Sequence, residues 1–333
     1  MSDGTEGQEN RARIKDRFQR DWGLELPESI FRFWAFHQSL GPVERQALGD
    51  LWIGPDGIMD LFADPDARPR DGVDIRVHGR YYRDPPEFVT FMHGNTDGLH
   101  YGLWFDDGRV CSGVASYYNN DGGGIDISAG TPLEAVRAFL ERVWSDVDDE
   151  VAGYDNGSDL YEEVAAKRAR LDLLRERLTE FETGDRAEVG RAYSHRYMPR
   201  FVPPVRPDRV TTLDEAGALV TGETALDRPA HDGADTHKFA TYMYGLFEDS
   251  AAVAASVDDA LRRCAAGDPA EALVLGRDLH WASVGDPTRE AYANDLLVMA
   301  YRALGRPSLA DIVDAHHRHR SLPTVDVLES SSD

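Results

Sequence analysis

The chain has 333 residues, with 60 Asp and Glu against 36 Lys and Arg, for a formal net charge of -24. That length suits about two domains and is ample for a hydrophobic core without metal or disulfide staples. A field so negative repels polyanions, which excludes sequence-independent nucleic-acid binding, and no apolar run approaches a membrane span.

Residues 10–22 predict an amphipathic helix with Ile14, Phe18 and Trp22 at i, i+4 spacing. A second helix follows Pro27, with Ile30, Phe33, Trp34 and His37 on one side. From 41 to 72 the chain is rich in Gly, Pro and Asp and reads as loop with short pieces of structure. Strands then dominate. Val73, Ile75 and Val77 alternate, as do Leu99, Tyr101, Leu103 and Phe105, the period of a half-buried strand. Residues 88–92 are apolar on both faces and suit a central strand, and 110–118 form another. Thr131-Pro132-Leu133-Glu134 is a helix start, with a cap, a proline at the first position and a glutamate to bond back. Leu133, Val136, Phe139, Leu140 and Val143 make its buried stripe. The acidic, glycine-containing stretch 146–158 is the expected linker.

A long helix over 160–181 follows, with Leu160, Val164, Leu171, Leu174, Leu178 and Phe181 along one seam. Four prolines make 198–207 extended, and 209–213 with 218–220 suggest a small hairpin. From His237 to about Arg320 the pattern is helical, with Gly305 and Pro307 marking one end and the next start. The fold class is therefore α+β: a helix-flanked antiparallel sheet domain over 1–150, a linker with a long helix over 151–190, and a mostly helical domain with a short hairpin over 191–333.

Two cysteines, Cys111 and Cys264, make no framework, and the polar, acidic N-terminus is not a secretory signal. A reducing cytoplasm is the expected location. Only Lys15, Lys167 and Lys238 are lysines, a bias that fits a high-GC genome, a salt-adapted cytoplasm or selection for a basic partner.

No motif marks an enzyme. Asp97, His100, Asp106 and Asp107 have metal-ligand chemistry, but Asp97-Gly98 and Asp106-Asp107-Gly108 are turn signals. His316, His317 and His319 fit the last turn of a helix, where the dipole favours cations. Asp121-Gly122-Gly123-Gly124 precedes a strand-like segment rather than the helix a phosphate cradle needs. No metal site and no cofactor is expected.

Leu24-x-Leu26-Pro27-Glu28 with Phe33-Trp34-x-Phe36, and above all Tyr81-Tyr82-x-Asp84-Pro85-Pro86-Glu87-Phe88, resemble motifs of the histone PARylation factor family. Val210-Thr211-Thr212 through Val220, Leu275-Gly276-Arg277-Asp278-Leu279 and the run 296–304 follow in the family's order. The first half is also similar in outline to the SUKH (Smi1/Knr4-like) fold, whose members include immunity proteins. The resemblance implies an accessory protein of an ADP-ribosylation system, binding an ADP-ribosyltransferase and shaping its acceptor site. Eukaryotic members lend a glutamate that acts as base on an acceptor serine. Aligned without a gap, the family's Asp-Glu pair falls on Ala265 and Ala266, and the nearest acids are Asp268 and Glu271. A one-gap shift reaches Asp258 or Asp259. The family's partner-contacting segment is poorly matched around Leu226-Asp227-Arg228. Asp268 and Glu271 are thus the candidate catalytic residues, and the chain is not expected to be an enzyme on its own. The alternative is a cytoplasmic immunity or interaction module that binds a toxin or other protein without chemistry.

Overall fold

The computed structural model describes residues 3–121, 123–155, 157–182, 209–220 and 236–329. The extended segment expected over 198–207, and Leu226, Asp227 and Arg228, lie outside them. Helix α1 (Asp3–Trp22) buries Ile14, Phe18 and Trp22 as the spacing predicts. Helix α2 (Glu28–Ser39) buries Ile30, Phe33 and Phe36. Its inward face is turned from the expected one, leaving Trp34 and His37 half-buried.

The stretch expected as loop holds a nine-residue helix, α3 (Pro42–Asp50), started by Pro42 and anchored by Ala47 and Leu48. Strand β1 (Gly54–Pro55), the one-turn helix α4 (Asp60–Ala63) and strand β2 (Arg68–Pro69) follow. Val73, Ile75 and Val77 do not make a strand. The Asp74 carboxylate accepts from the Arg76 N–H, and this local bond winds Ile75–Val77 into a 3-10 turn.

Strands β3 (Phe88–His93), β4 (Leu99–Trp104), β5 (Gly113–Tyr118) and β6 (Asp126–Ala129) complete an antiparallel sheet in the order β1-β3-β4-β5-β6. In the five-residue connection between β3 and β4, positive φ at Asp97 (52°) and Gly98 (71°) makes the tight turn in which the Leu99 N–H donates to the Thr96 carbonyl at 2.8 Å. Every residue of β4 is buried, so the half-buried expectation fails: the sheet is covered on both faces. Phe33 of α2 meets Phe91 edge-on at 5.4 Å on one side. On the other, Tyr117 meets Trp281 of the helical half at 5.5 Å. At Gly102 a Cβ would stand 2.4 Å from the Phe88 ring, so glycine there is what lets Phe88 lie flat across β4.

Helix α5 (Pro132–Gly153) starts as predicted, the Thr131 hydroxyl accepting from the Glu134 N–H at 3.4 Å, while Glu134 accepts from Gly130 rather than from the cap itself. It runs seven residues past the expected linker start, because Val147 is buried and the acidic residues around it face outward. Helix α6 (Asp159–Phe181) buries Leu171, Leu174 and Leu178 completely against α3 and α5. Ion pairs reinforce that packing, Arg175 to Glu141 at 2.7 Å and Arg170 to Asp50 at 2.7 Å.

Strands β7 (Arg209–Val210) and β8 (Ala218–Leu219) form the expected hairpin. Helices α7 (Thr236–Phe247), α8 (Ser250–Ala265), α9 (Ala270–Ala282), α10 (Pro287–Ala303) and α11 (Pro307–His319) make the helical half. Strand β9 (Leu328–Glu329) then returns to pair with β2. One continuous apolar cluster runs from Ile14 to Val313, so sheet and helices share a core.

Because α6 is packed on α3 and α5, Leu174→Ala is expected to cost about 2–5 kcal/mol of unfolding free energy. Leu160, 56% exposed on the same helix, should tolerate alanine within about 0.5 kcal/mol. Urea denaturation of the two variants checks the difference.

Candidate functional site

Helix α9 is buried all round: of its thirteen residues only Glu271 is not. Its sequence nonetheless carries Arg277, Asp278 and His280, and a buried ionisable group must be paired. Gly276 permits the burial, since a Cβ there would come within 2.8 Å of Leu297 on α10.

Arg277 binds two acids. Its Nε and Nη2 donate to Asp214 Oδ2 at 2.8 and 2.5 Å, and its Nη1 donates to Glu87 Oε1 at 2.9 Å. The Tyr301 hydroxyl donates to the same Glu87 oxygen at 2.6 Å. Asp214 is built into the turn after β7, where Thr212 Oγ1 donates to its Oδ1 at 2.6 Å. Despite full burial, the two carboxylates raise the Arg277 pKa, while burial and Glu87 raise that of Tyr301. Asp278 accepts from the Leu213 N–H at 2.7 Å, stapling the same turn.

Three residues before Glu87, Asp84 is equally buried. Its carboxylate takes the Tyr81 N–H at 2.8 Å and the Tyr117 hydroxyl at 2.6 Å, and sits 2.8 Å from His100 Nε2. The Asp84 carbonyl receives His280 Nε2–H at 3.0 Å, and Arg320 Nη2 donates to the His280 carbonyl at 2.6 Å. His280 and His316 face each other at 5.4 Å. Burial first, then the neighbouring cations, lower both their pKa values well below the usual 6.5. His316 does lie in the last turn of α11, but it is a buried, neutral residue there and not the dipole-favoured cation the sequence suggested.

The Tyr-Tyr-x-Asp-Pro-Pro-Glu-Phe block is thus the joint between sheet and helices. Its acids hold structure and point into no cleft. Just over half of the chain, residues 9–180, matches the profile of the family described as histone PARylation factor 1. The chain belongs to the histone PARylation factor 1 family. The zebrafish (Danio rerio) histone PARylation factor 1 is 29% identical over 99 residues, 28% of each chain. The mouse (Mus musculus) protein is 28% identical over a stretch of equal length and equal coverage. In these two alignments the chain spans 28% of the relatives' length. The cattle (Bos taurus) protein is 25% identical over 339 aligned positions, covering 95% of this chain and 89% of that one.

Relative to that family's expected acidic pair, the structure puts Ala265 at the last residue of α8 and Ala266 at its cap, both exposed. Asp268 lies in the following turn, its Oδ2 held by Arg263 Nη2 at 2.6 Å and Nε at 3.1 Å. Glu271 is in the first turn of α9, where the helix dipole favours a carboxylate. Asp258 is exposed, and Asp259 pairs with Arg262 at 2.5 Å. Asp268 and Glu271 therefore lie where α8 gives way to α9, Glu271 about 9 Å along α9 from Arg277 at 1.5 Å per residue.

Other sequence candidates are absorbed by structure. His100 belongs to Asp84, and Asp106 accepts from Trp104 Nε1 at 2.7 Å and pairs with Arg209 at 2.5 Å. Among the described residues one group has metal-ligand geometry, Asp60, His78 and Asp326. His78 Nε2–H donates to the Gly57 carbonyl at 2.9 Å, and Nδ1 receives the Val327 N–H at 3.4 Å. With both nitrogens occupied, the ring ties the chain end to the turn before α4. Burial pushes the Cys111 thiol up to about 11, and raises the Cys264 thiol too, so neither is a nucleophile at neutral pH. Among the described residues no helix is long and apolar enough to cross a membrane.

The neutral histidine pair fixes a pH response. Well above pH 6.5 both states carry these imidazoles unprotonated and the pair contributes no slope. Below it the unfolded chain takes up protons that the folded one refuses, so stability falls with pH until the lowered folded values are reached. For two protons the expected loss sums to roughly 2 kcal/mol between pH 6.5 and 5.5, the slope steepening toward about 2.7 kcal/mol per pH unit below that. Urea denaturation across that window should show it, and His316→Gln should remove about half. An unchanged slope in the variant contradicts the assignment.

Proposed function

We propose that this chain is an accessory factor of an ADP-ribosylation system, docking on an ADP-ribosyltransferase and shaping the surface where the acceptor enters. The observation that carries this reading is the pairing of a retained scaffold with an altered rim. The family block around Asp84 and Glu87 and the Arg277 helix are kept as a buried joint, while Ala265 and Ala266 stand exposed where the family's acidic pair falls. A serine hydroxyl needs a positioned base to become a competent nucleophile. A methyl group cannot accept that proton. Asp268 is engaged by Arg263, and Glu271 is the remaining acid at this end of α9. The role is accordingly docking and acceptor positioning, with the base, where one is needed, left to the transferase. The net charge of -24 favours a basic docking surface and a salt-sensitive association rate.

The test is calorimetry of the full chain with an ADP-ribosyltransferase from the same cells, followed by mass-spectrometric mapping of modified residues. Complex formation at about 10 μM or tighter is expected, with an altered acceptor pattern. Asp268→Asn and Glu271→Gln should leave modification within about twofold. A loss above tenfold with the complex intact would assign the base to that residue. No complex, with no change in acceptors, would end the accessory reading.

A further inference from the structure

At the end of β3 away from Glu87, α2, α3, the edge strand β1 and the residues His93 and Gly94 line an open recess of about 450 Å³. Its wall includes His37, Arg45, Trp52 and His93, over a floor containing Leu48 and Ile53. Three features set this place apart. Trp52 has φ of 56°, a left-handed conformation that costs a bulky residue about 1–2 kcal/mol. It is also 69% exposed, while Trp22, Trp104 and Trp281 are buried and Trp34 and Trp144 half-buried. Backbone strain that presents a large apolar ring to water works against folding, and such outliers collect at binding sites.

The second feature is charge. Every ionisable group lining the recess is a base, in a chain where acids outnumber bases 60 to 36. Arg45 donates through Nε to the Leu40 carbonyl at 2.8 Å and has no carboxylate partner among the described residues. Neighbouring arginines on α6 are neutralised, Arg170 by Asp50 and Arg177 by Glu180. The third is a polar vacancy in the bonding pattern. His37 Nδ1 is shielded from water and has no hydrogen-bond partner, while stacking on Trp34 at 5.7 Å and 22° holds the ring in place. An exposed indole and a guanidinium without a carboxylate partner share one concave surface, beside the fixed ring of His37. Their common complement is a planar ring for the indole and an anionic group for the cations.

We propose that this recess binds a small anion carrying a planar ring, the ring stacking on Trp52 and the anionic group taken by Arg45. The site is independent of the accessory reading, since neither residue belongs to the joint or to the α8–α9 end. Two sources offer such chemistry, a nucleoside phosphate and an aromatic carboxylate.

Four probes separate them: adenosine monophosphate, indole-3-acetate, adenosine and inorganic phosphate, each titrated into the full chain by calorimetry. At least one ring-bearing anion should bind with Kd below about 1 mM, and the ring or the anion alone about tenfold more weakly. Binding of adenosine monophosphate alone assigns the phosphate source; binding of indole-3-acetate alone assigns the carboxylate. Arg45→Gln and Trp52→Ala should each weaken the bound probe by about tenfold or more, with melting temperatures no lower than the parent's by more than about 4 °C. The proposal is overturned if neither ring-bearing anion binds below about 1 mM, or if both folded variants bind as the parent does.

Discussion

The Arg277 guanidinium, wholly buried between Glu87 and Asp214, is the interaction on which the architecture rests. Removing three charges from water is costly, and only near-ideal geometry offsets the cost. Here the geometry is constrained from every side. Glu87 immediately precedes β3, Asp214 lies in the turn after β7 and Arg277 is in mid-α9, so three distant parts of the chain must arrive together. A misplaced partner leaves an unpaired charge in the core, worth about 3–5 kcal/mol. Shape complementarity between sheet and helices is necessary; the ion triad makes one docking much better than its neighbours.

The Asp84-Pro85-Pro86-Glu87 spacing explains how a single short block serves two networks. Each proline fixes its own φ and restricts the residue before it. Asp84 is thereby held toward His100 and Tyr117, and Glu87 toward Arg277 and Tyr301. The His280 ring links the networks by donating to the Asp84 carbonyl. The residues that make the sequence recognisable are thus chiefly architectural, and the α8–α9 end on which the proposed role depends carries exposed Ala265 and Ala266.

Periodicity made the long amphipathic helices legible: α1, α5 and the C-terminal half of α6 follow their apolar spacing, while Leu160, placed on the same seam, is exposed. The failures share a physical cause. Local polar chemistry turned Ile75–Val77 into a 3-10 turn, and an acidic run read as linker is helix because Val147 finds a partner. Burial on both faces of β4 depends on helices almost two hundred residues away, which no local window contains. The same holds for the site. Asp84 and Glu87 stood out in the sequence, but Arg277, Asp214 and Tyr301 are 63 to 214 residues from their partners. His316 looked like a dipole-favoured cation because helix position was visible and its contact with His280 was not.

The proposed role draws on this division: a rigid joint that fixes two halves, and an α8–α9 end where Ala265 and Ala266 are exposed and Asp268 is paired with Arg263. The central claim is that sheet and helical half are one cooperative unit locked through Arg277. Native-state hydrogen exchange, followed by mass spectrometry in rising urea, tests it most directly. The account predicts that amides of β3 and β4 and those of α9 open with the same free energy and the same urea dependence. Exchange of α9 through α11 at a distinctly lower free energy, with β3 and β4 still protected, would contradict it.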